Sequence, residues 1–215
     1  MDYNSSFFGS DRDLGVPADS RNMAAEYGRS DFDVRHRVVV SYIYELPFGR
    51  GRALGGGVNG VLNQVIGGWQ ISGITEYRTG FPFTIFAGTS TDYSGFNQFA
   101  DRIDFRPGVT SLPQNNDDPD KAFDTSVLTT PSAGSIGNTR RNDFTGPAFL
   151  NWDFAVFKDF PVTEGRRFQF RAEAFNVFNH TNFRLPQSNR DGSGFGTIQR
   201  AYDPRLIQLG LRFDW

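Results

Sequence analysis

Apolar and polar residues alternate with a period of two in five segments, and this alternation restricts the fold of the chain more than any other feature of its sequence. Successive side chains of a β-strand point to opposite faces, so each segment would present one apolar face and one more polar face. The segments are 35–46, 68–79, 150–160, 166–179 and 205–215. Residues typical of turns separate them. The pattern predicts an all-β fold built from antiparallel strands.

The clearest pair of segments is 150–160 and 166–179, which a short turn at 161–165 connects. Two alternating runs joined by a short turn predict a β-hairpin. In the second run, Phe168, Phe170, Ala172 and Ala174 occupy one face, and Arg167, Gln169, Arg171 and Glu173 occupy the other. The last segment continues the pattern and ends on an aromatic residue: Ile207, Leu209, Leu211, Phe213 and Trp215 oppose Gln208, Gly210, Arg212 and Asp214.

The positions of the charged residues indicate that the apolar faces contact lipid. Lys or Arg on the lipid side of a barrel strand costs about 2–4 kcal/mol at the bilayer centre and little near its surfaces. Four basic residues interrupt the apolar faces, all at or near strand ends: His36, Lys158, Arg166 and Arg205. The polar faces carry the mid-strand charges. We therefore predict transmembrane β-barrel strands whose lumen-facing polar residues include Arg167, Gln169, Arg171, Glu173, Gln208 and Arg212.

The lengths of the connections agree with this topology. Barrels of the outer membrane have short periplasmic turns and longer extracellular loops. If the last strand ends in the periplasm, the turn at 161–165 is periplasmic, and the long segments 81–149 and 180–204 are extracellular. The connection 47–67 is long for a periplasmic turn. Apolar residues recur at helical spacing in its second half, so we expect a turn or two of helix within 58–66.

Composition excludes several other classes of protein. The net charge of −2 over 215 residues gives no field that would hold nucleic acid. Cysteine is absent, which excludes disulfide scaffolds and thiolate zinc sites. Phe is unusually frequent, with 23 residues, so we do not expect an ordinary core made mainly of Leu and Ile. The first residues have no basic start and no apolar stretch, so we expect no signal peptide there.

Candidate catalytic and metal sites are few. His36 and His180 are the two histidines, and a catalytic triad or a histidine metal site would need one of them beside a suitable partner. The oxygen-rich stretches 115–120 and 189–192 could bind calcium, although neither has EF-hand spacing, and solvated loops are the simpler interpretation. We predict no catalytic residues, no cofactor and no metal, and hence no enzymatic activity.

Five strings of residues, in order along nearly the whole chain, resemble the C-terminal end of TonB-dependent receptor barrels, and in particular the Oar-like group common in Acidobacteria. They are Ser30-Asp31-Phe32-Asp33-Val34-Arg35-His36-Arg37, Tyr44-Glu45-Leu46-Pro47-Phe48-Gly49, Gly67-Gly68-Trp69-Gln70-Ile71-Ser72-Gly73, Asn151-Trp152-Asp153-Phe154 and Phe175-Asn176-Val177-Phe178-Asn179-His180-Thr181-Asn182-Phe183.

This resemblance implies that residues 1–215 are the C-terminal part of a barrel of roughly 22 strands in the outer membrane of a Gram-negative bacterium. Its plug domain, through which such a receptor contacts the TonB system, and its N-terminal domains would be absent. Met1 would fall in an extracellular loop, so we expect a gene fragment or a mispredicted start.

The resemblance also assigns a role to the last strand. Ile207, Leu209, Leu211, Phe213 and Trp215 would form the signal that the barrel-assembly machinery reads; alternatively, Trp215 only anchors the strand at the membrane surface. Outer-membrane lipid is the other expected partner, and the transported ligand is not specified, since much of the receptor that would select it is missing. The alternative fold is a soluble β-sandwich that binds carbohydrate and packs two sheets through their aromatic faces.

Overall fold

The computed structural model describes residue 19 and residues 21–88, 90–95, 101–163 and 165–215. The chain divides into two compact units. The first, here called the loop unit, comprises Met1–His36, Arg78–Phe149 and Asn182–Tyr202. The second, here called the sheet unit, comprises Arg37–Tyr77, Leu150–Thr181 and Asp203–Trp215.

The regular elements, in chain order, are a 3-10 helix (Met23–Glu26), β1 (Arg37–Glu45), α1 (Gly60–Ile66), β2 (Trp69–Arg78), β3 (Pro82–Phe83), β4 (Asp104–Phe105), a second 3-10 helix (Thr125–Val127), β5 (Leu128–Thr129), β6 (Phe144–Thr145), β7 (Phe149–Thr163), β8 (Arg166–Phe175) and β9 (Leu206–Asp214). Among the described residues, neither α1 nor any other helix is long and apolar enough to cross a membrane.

All five predicted strands are confirmed, and they form one sheet in the order β1-β2-β7-β8-β9. β7 pairs with β8 and β8 with β9, both antiparallel. Two contacts show that β1 and β2 also run in opposite directions. The Leu46 N–H donates to the Trp69 carbonyl at 2.9 Å, and the Arg37 Nε donates to Glu76 Oε1 at 2.9 Å near the other end. The fold is therefore all-β and largely antiparallel, and the sheet is open.

Two predicted strand ends were wrong, both at the β7-β8 hairpin and its exit. β7 continues to Thr163 and pairs with Arg166, across a register shift between Pro161 and Thr163, so the turn is shorter than the predicted 161–165. Gly165 has a φ of +81°, a conformation that glycine adopts without steric cost. β8 ends at Phe175 instead of 179 because the next residue, Asn176, has a φ of +50° and leaves the extended conformation.

The predicted helix in the long connection is confirmed as α1. Asn59 is its N-cap, and its side chain accepts a hydrogen bond of 2.8 Å from the Leu62 N–H. Gly67 is the C-cap residue. The apolar residues that suggested helical spacing do not form a core, since Val61 is 80% exposed and Val65 is 63% exposed.

The long segments predicted as loops contain a hydrophobic core of their own, which the sequence analysis missed. Two pairs of very short strands, β3 with β6 and β4 with β5, hold it together. Its buried members are Phe83, Ile85, Ile103, Ala122, Phe123, Leu128, Phe144 and Ile198. The ring of Phe83 lies 6.1 Å from that of Phe123 and 5.8 Å from that of Phe144. Part of the large Phe content thus fills this core.

A buried ion pair connects the first 3-10 helix to the rest of the loop unit. Arg102 Nη1 lies 2.8 Å from Glu26 Oε1, and the two side chains are 5% and 9% exposed. The Arg102 Nε also donates to the Thr139 carbonyl at 2.9 Å. Removing one member of a buried pair leaves the other charge without its partner in a poorly solvated site.

We therefore expect Glu26→Ala to destabilise the loop unit by about 3–5 kcal/mol. Amide hydrogen exchange at Ile103 and Thr139 would measure the loss. Lys121→Ala is the matched control, because the Lys121 side chain is 67% exposed and its contact with Asp124 spans 3.8 Å. Such exposed pairs contribute about 0–1 kcal/mol. Equal exchange rates in the two variants would contradict the prediction.

Candidate functional site

The candidate functional site is the sheet itself, because the register of its strands places apolar residues on one face and polar residues on the other. Residues paired directly across antiparallel strands lie on the same face. From β7 through β8 to β9, one face carries the rungs Phe154, Ala174 and Ile207; Val156, Ala172 and Leu209; Lys158, Phe170 and Leu211; and Phe160, Phe168 and Phe213. This is called the apolar face below. Lys158 is its single charged member in these rungs.

The same register places the polar residues together on the other side, called the polar face below. Its rungs are Ala155, Glu173 and Gln208; Phe157, Arg171 and Gly210; Asp159, Gln169 and Arg212; and Pro161, Arg167 and Asp214. A shift of one residue in either pairing would have mixed the two sets. All six residues predicted to face the lumen lie on this face.

Charged and polar side chains contact one another along the polar face. Arg167 Nε lies 2.9 Å from Asp214 Oδ2, and Arg212 Nε lies 2.6 Å from Asp214 Oδ1. The Gln169 amide donates to Asp159 Oδ1 at 3.0 Å. Two carboxylates, those of Asp159 and Asp214, therefore partner the predicted residues. Neither aspartate was among the residues predicted to face the lumen, although the odd-even positions of Asp159 and Asp214 place both on this face.

The apolar face is open to its surroundings at the β9 edge. Ile207, Leu209 and Leu211 are 61%, 68% and 71% exposed, and Trp215 is 88% exposed. The ring of Phe213 lies 4.6 Å from Phe168 and 6.0 Å from Trp215. Contiguous exposed apolar surface marks a contact with another protein or with a membrane. Four residues of β9, Ile207, Leu209, Leu211 and Phe213, and Trp215 directly after the strand are the ones predicted to form the assembly signal.

Lys158 is the basic residue that lies deepest within a strand on the apolar face. It was predicted near a strand end, but β7 continues for five residues beyond it. Its side chain is buried instead: the Lys158 ammonium group donates to the carbonyls of Gly67, the C-cap residue of α1, and Asp159. The Phe160 ring centre lies 4.7 Å from Nζ. Backbone carbonyls and an aromatic ring thus surround the charge.

Close packing extends the face to β1 and β2. A Cβ atom placed on Gly73 of β2 would lie 2.5 Å from the Tyr42 hydroxyl oxygen and 2.6 Å from its Cζ. Glycine at this position therefore leaves room for the Tyr42 ring to lie across the neighbouring strand. Tyr42 shares its strand face with Val38, Val40 and Tyr44, all of which are more than half exposed.

Two of the five strings that carry the family resemblance meet at the end of the β7-β8 pair. Asp153 Oδ1 accepts hydrogen bonds from the Asn151 amide at 2.8 Å and the Asn176 N–H at 3.0 Å. The Asn176 side chain donates to the His180 carbonyl at 2.9 Å and accepts from the His180 N–H at 2.9 Å. Asn176 is 5% exposed.

Neighbouring contacts extend this junction to the residues that lead into β9. The Asn179 side chain accepts a hydrogen bond of 3.0 Å from the Arg205 N–H. The rings of Trp152 and Phe178 meet edge to face at 5.2 Å. The sequence alone did not predict that these strings form one hydrogen-bonded junction.

The sequence-predicted alternatives for catalysis and metal binding gain no support. In the part of the chain that the structure describes, no three His, Cys, Asp or Glu residues come together as a metal site would require. Within the stretch 115–120, the Asp118 carboxylate instead accepts hydrogen bonds from the backbone N–H groups of Asp120 and Lys121. His180 belongs to the junction described above through its backbone.

Residues 1–208 match the sequence model of the family described as outer membrane beta barrel domain. The chain belongs to this family. Comparisons with curated proteins and with solved structures gave no match. A barrel domain of the outer membrane has an outward-facing apolar band and a polar interior. The apolar and polar faces of the sheet correspond to these two surfaces.

We expect Asn176→Ala to destabilise the sheet unit by about 2–4 kcal/mol. The change removes the side-chain hydrogen bonds to His180, and it places alanine in the left-handed region, which asparagine tolerates better because its polar side chain can form local hydrogen bonds. Urea unfolding followed by tryptophan fluorescence would measure the loss, because all three tryptophans of the chain, Trp69, Trp152 and Trp215, lie in the sheet unit. Asn176→Gly is the matched control, because glycine accepts a φ of +50° and loses only the hydrogen bonds. The prediction fails if Gly and Ala destabilise the sheet equally.

Proposed function

We propose that this outer-membrane barrel domain is part of the wall of a TonB-dependent receptor of the Oar-like group. The receptor would take up a ligand that is not yet identified, and the chain would carry out no enzymatic chemistry of its own. Its partners would be outer-membrane lipid, the barrel-assembly machinery and, through a plug region outside this chain, the TonB system.

The observation that carries the proposal is the register of β7, β8 and β9. Three strands that alternate independently in sequence pair so that their apolar residues form continuous rungs. In a barrel wall, lipid solvates such a face without further protein packing. The opposite face, with its Arg, Asp, Glu and Gln side chains, suits a water-filled lumen.

The open edges of the sheet argue for a larger barrel. β1 and β9 are the edge strands, and no second strand pairs with either of them in the described part of the chain. Unpaired backbone groups in a bilayer cost several kcal/mol each, so barrels close completely. Additional strands must complete this sheet in the membrane, which agrees with a receptor of many strands.

The receptor assignment itself rests on the strings that resemble the Oar-like group. Two of them, around Asp153 and Asn176, form the hydrogen-bonded junction of the sheet unit, so the resemblance includes residues with a shared structural role. The exposed apolar residues of β9 and the terminal Trp215 support a role in recognition by the assembly machinery. An edge strand with free backbone groups can bind a partner by strand addition.

The soluble sandwich is the weaker proposal. A sandwich covers the apolar face of one sheet with a second sheet. Here all five long strands belong to a single sheet, and the apolar side chains of β1 and β9 remain exposed.

A charge on the apolar face should therefore be costly in lipid. We expect Leu209→Arg to lower the unfolding free energy of the chain in phospholipid vesicles by about 2–4 kcal/mol. Gln208→Arg, one residue away on the polar face, should change it little. Urea titration of both variants measures the difference. If the two substitutions have equal effects, or if the chain is a soluble, protease-resistant monomer without detergent, the barrel proposal is wrong.

The DNA upstream of the Met1 codon tests the receptor assignment separately. We expect the reading frame to stay open through further alternating strands and a plug domain to a signal peptide. A stop codon and a ribosome-binding site immediately before Met1 would contradict the assignment to a TonB-dependent receptor, without affecting the two-faced sheet.

A further inference from the structure

A pocket of about 200 Å³ lies within the loop unit. Three arginines line it, together with aromatic and aliphatic side chains and no acidic residue. The sequence did not predict this pocket, because its lining residues come from separate segments: the end of β2 and the residues after it, the start of β7 and the residues before it, and the segment 182–202. The pocket involves the loop unit alone.

Aromatic contacts hold the innermost arginine in place. The guanidinium carbon of Arg78 lies 4.5 Å from the Phe81 ring centre and 4.6 Å from the Phe149 ring centre. Arg78 Nη2 donates to the Tyr202 hydroxyl at 3.0 Å. The Tyr202 ring meets Phe149 edge to face at 5.1 Å. Stacking leaves a guanidinium group charged, so the aromatic wall of the pocket has a fixed positive charge within it.

Two further arginines face each other across a short stretch of paired backbone. Phe183 and Ala201 form an antiparallel bridge, and the Arg184 N–H donates to the Arg200 carbonyl at 2.9 Å. Arg184 and Arg200 are thus direct cross-strand neighbours. Like charges in this arrangement destabilise the pairing. Among the residues that the structure describes, neither forms an ion pair with a carboxylate, and both are exposed.

We propose that this pocket binds a small organic anion with a planar aromatic group. The carboxylate would accept hydrogen bonds from Arg184 and Arg200, whose planar donors match carboxylate oxygens and whose mutual repulsion an anion would neutralise. Arg78 and Arg184 already contact the rings of Phe81, Phe149 and Tyr202. The aromatic group would therefore pack against the other apolar lining residues, Pro147, Phe183 and Leu185. Because the volume lies below that of pockets for drug-sized ligands, about 300–1,000 Å³, the ligand should be about the size of a single ring acid.

Fluorine NMR of 4-fluorobenzoate, titrated against the full chain in detergent, tests the proposal. We expect saturable binding that weakens as salt is added. The neutral analogue 4-fluorobenzamide should bind roughly tenfold or more weakly, since it lacks the charge that the arginines recognise. This comparison uses the unaltered protein and so does not depend on the folding of a variant.

Variants then locate the site. Arg184→Gln and Arg200→Gln should each weaken benzoate binding about tenfold or more. Arg190→Gln is the matched control, because Arg190 is an exposed arginine of the loop unit that does not line the pocket, and it should leave binding unchanged. Absence of saturable binding, equal binding of the acid and the amide, or an equal effect of all three variants would overturn the proposal. Inorganic sulfate that binds as tightly as benzoate would overturn the aromatic part of it.

Discussion

Lateral pairing of strands in one register is the constraint on which the sheet depends. The side chains of a β-strand point to alternate faces whatever its neighbours are. A continuous apolar face forms only when adjacent strands pair in a register that places their apolar residues on the same side. The pairings Phe160 with Phe168 and Phe168 with Phe213 fix the apolar rungs, and the polar rungs follow automatically. A slip of one residue would place Arg171 and Glu173 among the apolar side chains. Gly165, with a φ of +81°, lies just before Arg166, which pairs with Thr163 at the end of this hairpin.

Two arrangements reduce the free-energy cost of placing basic residues on or near the apolar face. Arg166 lies at the first position of β8, and His36 and Arg205 immediately precede β1 and β9. Lys158, by contrast, lies well within its strand, and the C-terminal carbonyl of α1 accepts its hydrogen bond. The helix between β1 and β2 therefore has a structural purpose that its exposed Val61 and Val65 do not suggest. A polar partner, rather than position alone, accommodates this lysine.

The sequence could predict what depends on a regular period, and it missed what depends on contacts between distant residues. Alternation located the five long strands and their faces, because a period of two is visible within any one strand. The loop-unit core was missed because its strands are two residues long, as with Pro82–Phe83, and show no period. Ile85 and Ile198 become core partners only through folding of segments far apart in sequence.

The junction around Asn176 and the arginine pocket were missed for the same reason. Nothing in the sequence distinguishes Asn176 from other asparagines. Its left-handed backbone conformation and its hydrogen bonds to His180 depend on the end of β8 at Phe175, which the sequence did not predict. Arg78 and Tyr202 are separated by more than half the chain, and no spacing rule connects them. The end of β7 was predicted too early because Pro161 resembled the start of a turn, whereas this proline lies beside a register shift in the strand.

The central claim is that the apolar face of the sheet contacts lipid and the polar face contacts water. The chain has no cysteine, so a single cysteine introduced at any of positions 171–174 can carry a spin label without background labelling. These positions lie in β8, an interior strand of the sheet. In phospholipid vesicles, we predict that oxygen accessibility peaks at positions 172 and 174 and that accessibility to a water-soluble nickel complex peaks at 171 and 173. Oscillations that rise and fall together, or no oscillation with a period of two, would contradict the claim.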